Sequence, residues 1–352
     1  MSILVLRNFG VGILLVLLTA CGARTEQATP SLAMPVPSVT AAIPPTSIPA
    51  PTASFTPGPT ATPDPYEPYT IAHLRGRDYG GGELEIIERV GANGAFTRYL
   101  VKYPSDDLEI HGFMNVPREE GPHAVIIALH GYIDPGIYDT FDYTTHYADA
   151  LASAGYLVVH PNLRGYAPSE SGDNLFRVGM ALDVLNLIAI IKTTAGQPGP
   201  LEAADAGRIG LWGHSMGGGI TTRVISVSPY VRAAVLYAAM SGDEARNYEA
   251  IGVWSDGQRG GEERAVPTEE LLRISPIHFL GGITAAVSIH HGLEDELVPV
   301  QWSMQTCELL KATDKDVECH FYPGMPHTFQ GKGDKEFIQY TIQFFDRYLS
   351  AP

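Results

Sequence analysis

The sequence predicts an α/β fold with a mostly parallel sheet covered by helices on both faces. Three observations carry that reading. Short apolar runs, among them Ala124–Leu129, Tyr156–Val159, Ala233–Tyr237 and Ala286–His290, lack the polar alternation of a half-solvated strand. Longer stretches of helical character separate these runs, as parallel strands require. The 352 residues are 45% apolar and 18% charged, an ordinary globular mix with enough chain for one large domain or two small ones.

The elements follow in chain order. Phe96 to Val116 reads as two strands around the turn Pro104-Ser105-Asp106-Asp107. The buried strand 124–129 ends in His130-Gly131-Tyr132. A helix is expected over about 139–154, a strand over 156–159 and a long amphipathic helix over about 175–194. Arg208–Trp212 is a strand, and a helix opens near 216. Strands at 233–237 and 286–290 come next, then a helix at about 300–311, a strand at about 317–322 and a last helix at about 334–349. The segment 241–282 lies between two strands and is read either as a lid that shapes a pocket or as a solvated cap with one packed tryptophan, Trp254.

The chain ahead of these elements is of two other kinds. Residues 1–20 carry Arg7 and then the apolar run Val11–Leu18, which is short for a membrane span and has the layout of an export signal. The run closes in Leu18-Thr19-Ala20-Cys21. This resembles the lipobox of bacterial lipoproteins, in which the cysteine is lipidated and becomes the first mature residue. A plain secretory signal with an incidental cysteine is the other reading. Either way the protein is expected outside the cytoplasm, and the lipobox resemblance anchors it by Cys21 to the outer face of the membrane. Residues 28–68 hold 12 of the 27 prolines and only two charges, Asp64 and Glu67. Such a segment cannot bury enough apolar surface to offset its ordering entropy, so 21–68 is expected to be a disordered tether and 69–352 the folded domain.

The net charge of −16, with no Lys/Arg run, argues against nucleic acid as a partner. The three cysteines offer no zinc-ligand spacing, and no metal or cofactor is implied. Cys307 and Cys319 either form a disulfide, which export permits, or remain two buried thiols.

The chemistry is concentrated in Gly213-His214-Ser215-Met216-Gly217. A G-x-S-x-G match is weak alone. Here it follows the strand 208–212 and opens a helix, as a turn that lifts a serine to the carboxyl edge of a sheet must. A serine hydroxyl needs a base beside it, and the expected chain order is Ser, then acid, then His. The loop after strand 286–290 offers Glu294, Asp295 and Glu296, and spacing does not choose among them. The loop after strand 317–322 offers His327. Backbone N–H groups of Met216 and, after strand 124–129, Tyr132 are the expected oxyanion donors. Tyr132 could equally serve as a wall for substrate, and His130-Gly131 has the alternative reading of a plain strand-ending turn.

These segments, with Asn162-Leu163-Arg164-Gly165-Tyr166, Asp183, His291-Gly292-Leu293-Glu294-Asp295-Glu296-Leu297-Val298-Pro299 and Tyr322-Pro323-Gly324-Met325-Pro326-His327, resemble the catalytic domain of the prolyl oligopeptidase family over about 95–350. Dienelactone-hydrolase-like esterases share much of the pattern. The resemblance implies the α/β-hydrolase fold with its eight-stranded type of sheet. It implies Ser215 as nucleophile, Asp295 as acid and His327 as base, and it gives Asp183 a structural position. The peptidases of that family carry a β-propeller ahead of the catalytic domain. Only about 25 residues separate the tether from the first strand here, so a small ester is expected as substrate ahead of a short peptide. The competing class is a catalytically silent binding module, which a complete Ser-Asp-His set argues against.

Overall fold

The computed structural model describes residues 63–351. These residues belong to one compact unit. The calls on residues 1–20, on Cys21 and on most of the tether lie outside the described residues.

The first described residues form a 3-10 turn, Glu67–Tyr69, and the helix α1, Ile71–Gly76. The strands β1 (Glu85–Ala92), β2 (Phe96–Ser105), β3 (Leu108–Pro117) and β4 (His123–Leu129) follow. Helix α2 (Thr145–Ser153), strand β5 (Leu157–Pro161) and helix α3 (Val178–Thr194) come next. Strand β6 (Ala204–His214) leads into helix α4 (Met216–Val227), and strand β7 (Val231–Tyr237) leads into the cap. The cap holds α5 (Glu244–Trp254), α6 (Gly261–Arg264), α7 (Thr268–Ile274) and a 3-10 segment, Pro276–Gly282. Strand β8 (Ala286–Gly292), helix α8 (Val300–Lys311), strand β9 (Val317–Tyr322) and helix α9 (Gly331–Leu349) close the chain.

The sheet has nine strands in the order β1-β2-β3-β5-β4-β6-β7-β8-β9. The pairs β1–β2, β2–β3 and β3–β5 are antiparallel, and every pair from β5 through β9 is parallel. The side chains of β4 show why the sheet needs cover on both faces. Val125, Ile127 and Leu129 join the core under α3 and α4, while Ala124, Ile126 and Ala128 join the core under α2 and α9. The order reverses at β4, with β5 on one side and β6 on the other. Loops at the carboxyl ends of strands around such a switch point form a crevice for ligand.

Several expectations are corrected. The sheet has nine strands, not eight, because β1 adds an edge strand. Its sequence, Glu-Ile-Ile-Glu-Arg-Val-Gly-Ala, breaks the alternation that would announce a strand, and two register shifts against β2 account for the break. The expected helix at 139–154 begins only at Thr145. Asp139 and Asp142 accept hydrogen bonds from the N–H groups of Phe141 and Tyr143 and hold that stretch in turns. The helix expected from 175 begins at 178, because Phe176 and Arg177 have φ of 53° and 59°. The bend buries Phe176 and turns Arg177 toward Glu244 and Glu263. The folded unit starts before Tyr69. Asp64 and Glu67, the two charges of the expected tether, both pair with Arg273 on α7, and Tyr69 donates a hydrogen bond to Asp173.

Candidate active site

The turn at Ser215 is built by close packing. Ser215 has φ 55° and ψ −114°, a strained backbone for a side-chain-bearing residue. Its N–H donates to the Tyr237 carbonyl of β7, and its own carbonyl accepts from Met240. No side chain fits two residues away on either side, at Gly213 or Gly217. A methyl built on Gly213 would lie 2.3 Å from the Gly217 carbonyl oxygen, and one on Gly217 would lie 2.4 Å from that of Leu129. The loop after β4 packs on the same turn, since a methyl on Gly131 would lie 3.1 Å from Ser215 Cβ.

Asp295 and His327 come together from the loops after β8 and β9. His327 Nδ1 lies 2.7 Å from Asp295 Oδ2. The Asp295 side chain is fully buried, whereas Glu294 and Glu296 are exposed, so the tertiary structure separates the three acids that spacing left equal. Asp295 Oδ1 accepts from the N–H groups of Leu297 and Val298. Its Oδ2 also lies 2.9 Å from Nε2 of His291, a residue the sequence reading passed over. His291 is buried and held by Ser303 Oγ at 2.7 Å from its Nδ1. Burial pushes the Asp295 carboxyl up. The hydrogen bonds from His291 and His327, the imidazole charge and the Val298 amide outweigh it and hold the group well below the ordinary aspartate value. The acid is therefore ionised at neutral pH.

A second chain of hydrogen bonds ties the loop after β4 to the loop after β9. The Gly131 N–H donates to Tyr143 Oη at 3.0 Å, and that hydroxyl lies 2.6 Å from His214 Nδ1. His214 Nε2 lies 3.0 Å from the His327 carbonyl oxygen. The arrangement fits one neutral tautomer, with Tyr143 donating to Nδ1 and Nε2–H donating to His327. Burial, with the positive charge of His327 next, pushes the His214 pKa down to about 3. Neither Tyr143 nor His214 was singled out from the sequence. The x position of G-x-S-x-G was the one signal that could have pointed to His214.

Because Tyr143 takes the Gly131 N–H, the next amide of that loop, Tyr132, is the one left free. Among the described residues neither Tyr132 nor Met216 has a protein partner for its N–H. Ser215 Oγ also makes no hydrogen bond there. The His327 ring stands beside the His214 ring at 4.6 Å between centroids, and serine–base contacts often tighten only when substrate binds.

The profile of the prolyl oligopeptidase family matches residues 141–351, which include Ser215, Asp295 and His327. The chain belongs to the prolyl oligopeptidase family. It is 24% identical over 286 residues to the uncharacterized peptidase YuxL of Bacillus subtilis, covering 75% of this chain and 42% of that protein. The uncharacterized peptidase YtmA of the same organism is 27% identical over 254 residues, covering 70% of this chain and 92% of that protein. Acetyl xylan esterase 1 of a Thermoanaerobacterium species has the same fold, with a TM-score of 0.59 and 19% identity over 81% of this chain and 93% of that one. The chain thus spans less than half of YuxL and nearly all of the other two.

The remaining sequence-singled residues take other places. Asp183 on α3 is buried against Arg164 and Ser105, as a structural residue should be. Cys307 and Cys319 are joined by a disulfide between α8 and β9, which decides between the two readings of that pair. Trp254 is 44% exposed at the end of α5, so the expected packed tryptophan of the cap is not packed. What holds the cap down is a buried ion cluster in which Glu244 pairs with Arg177 and Arg223, and Arg177 also with Glu263.

Proposed function

We propose that this chain is a serine hydrolase that cleaves carboxylic esters of small molecules through Ser215, Asp295 and His327. The observation that carries the reading is the 2.7 Å contact between buried Asp295 and His327, on loops that share a sheet edge with the strained turn of Ser215. His327 removes the Ser215 proton as Oγ attacks the carbonyl carbon. The negative charge that develops on the carbonyl oxygen is received by the N–H groups of Met216 and Tyr132. Asp295 holds the imidazole in the tautomer that presents Nε2 and stabilises the imidazolium. His327 then protonates the leaving oxygen, and a water molecule, activated by the same base, releases the acyl group from Ser215.

Ester cleavage is favoured because the matched region makes up nearly the whole of an acetyl xylan esterase. Peptide cleavage is the second reading, favoured by the equally full span of YtmA, a protein described as a peptidase. The test is labelling of the full chain in detergent with a fluorophosphonate probe, beside Ser215→Ala. Labelling lost in the variant supports the activated serine. A folded wild-type protein that takes no label overturns the reading and leaves a binding module. Short-chain 4-nitrophenyl esters set against aminoacyl 4-nitroanilides then separate the two substrate classes.

The same proposal includes export and lipidation at Cys21, on the lipobox-like Leu18-Thr19-Ala20-Cys21. Incorporation of an alkyne-tagged fatty acid into the wild type, lost in Cys21→Ala together with membrane retention, is the expected result. A Cys21→Ala protein that stays in the membrane fraction counts against it.

A further inference from the structure

We propose that Arg259 of the cap is an anion-binding residue of the Ser215 cleft, so that the preferred substrate carries a carboxylate close to the bond that is cleaved. The inference rests on the serine-hydrolase reading and adds the substrate's chemistry to it.

Arg259 lies in the turn between α5 and α6. That turn is tied back on itself: Gly257 N–H donates to the Gly252 carbonyl, Gln258 N–H to the Ser255 carbonyl and Arg259 N–H to Ser255 Oγ. The turn therefore presents the arginine from a defined base. The guanidinium carbon of Arg259 stands 4.7 Å from the centroid of the Tyr132 ring. Tyr132 follows Gly131, which packs on Ser215, and the residue is 50% exposed. A cation carried by the cap thus covers the wall next to the proposed oxyanion donor.

The charge is not spoken for. Arg246 of the cap pairs with Asp243, and Arg273 pairs with Asp64, Glu67 and Glu270. Arg264 has no carboxylate either, but its guanidinium leans on the Gly252 backbone. Among the described residues Arg259 has no carboxylate within ion-pair distance. Asp134, on the loop that carries Tyr132, accepts the Gly136 N–H instead. Stacking on an aromatic face leaves the edges of a guanidinium free, and those edges donate two parallel hydrogen bonds to a carboxylate. In a chain of net charge −16 the overall field repels anions. A local unpaired cation at the cleft is what would admit one.

The test uses the full chain in detergent and two matched substrate pairs, which place the charge on either side of the ester. Mono-4-nitrophenyl adipate is set against 4-nitrophenyl hexanoate, and 4-acetoxybenzoate against 4-acetoxybenzamide. The wild type should favour the anionic member of at least one pair. Arg259→Gln should lower kcat/KM for that member by about tenfold or more, mainly through KM, and leave the neutral member within about twofold. Arg259→Lys should keep part of the preference, and Arg264→Gln, which removes the same charge nearby, should keep all of it. Equal losses on both members of a pair, no loss on either, or no anionic preference in the wild type would overturn the proposal. Fluorophosphonate labelling separates this from failure of the parent reading. A wild type that labels normally without an anionic preference loses only the Arg259 assignment, and one that does not label loses both.

Discussion

The loops around Asp295 and the underside of the cap both bury charge, and they do so in opposite ways. Under the cap two arginines face two glutamates. Asn247 and the carbonyls of Phe176 and Ile274 take up further donors and acceptors. At the sheet edge one carboxylate faces two imidazoles, and among the described residues Ser215 Oγ and the N–H groups of Met216 and Tyr132 have no protein partner. Matched buried charge holds an element in place. Polar groups held rigidly but left unmatched are what a reacting substrate can use.

The sharpest way to break this contrast is Asp295→Asn. Turnover should fall by about 10³–10⁴-fold while the melting temperature stays close to wild type, since the fault is in the base and not the fold. Retained turnover, with Glu294→Gln or Glu296→Gln losing it instead, would move the acid to another residue. The mirror experiment is Glu244→Ala. It strands Arg177 and Arg223 in a buried site and should cost about 3–5 kcal/mol of stability, read by denaturant unfolding. Fluorophosphonate labelling per folded molecule should persist, and its loss at full stability would place Glu244 in the chemistry.

Acid titration separates the two regions by their ionisable groups. Burial holds His160 and His214 down to about 3 and His290 well below the ordinary imidazole value. In the unfolded chain each takes up a proton near pH 6.5. Between that pH and their folded values the unfolded state binds more protons, so stability falls as pH falls through this window. Asp295 and Glu244 are depressed acids. Their contributions are present above the unfolded carboxyl values and lost only as pH drops through the lower folded ones. The melting temperature should therefore decline from pH 7 toward pH 5 and flatten part of the way in His160→Gln. A flat profile would contradict the buried neutral imidazoles. The smallest effect is expected of His291→Gln, which removes the imidazole whose Nε2 lies 2.9 Å from Asp295 Oδ2 and 3.0 Å from the Val298 carbonyl, and should lower kcat by about tenfold with KM unchanged. An unchanged kcat would make His291 a packing residue only.

Much of the fold was legible because its strands are buried on both faces and bounded by turn residues. Helix α8 and strand β9 lie where the apolar pattern puts them. The exposed, bulged β1 was not legible, because a strand whose side chains are exposed on both faces has no reason to alternate. The start of α3 was not legible either. Arg177 leaves the helix for two glutamates that follow it by more than sixty residues.

The sequence by itself determined the order of the elements, the small residues around Ser215 and the presence of a serine, an acid loop and a histidine loop in sequence order. These are local properties, written in periodicity and in side-chain size. Only the tertiary structure showed that Asp295, which the family resemblance implied but spacing left equal to its neighbours, meets His327, that Cys307 and Cys319 are joined, and that His291, His214 and Tyr143 brace the site. It also decided that Arg259 stands over Tyr132. Each of these is a contact between segments far apart in the chain or a difference in burial between neighbours. Such choices depend on how loops descend onto a shared sheet edge, which no local pattern encodes.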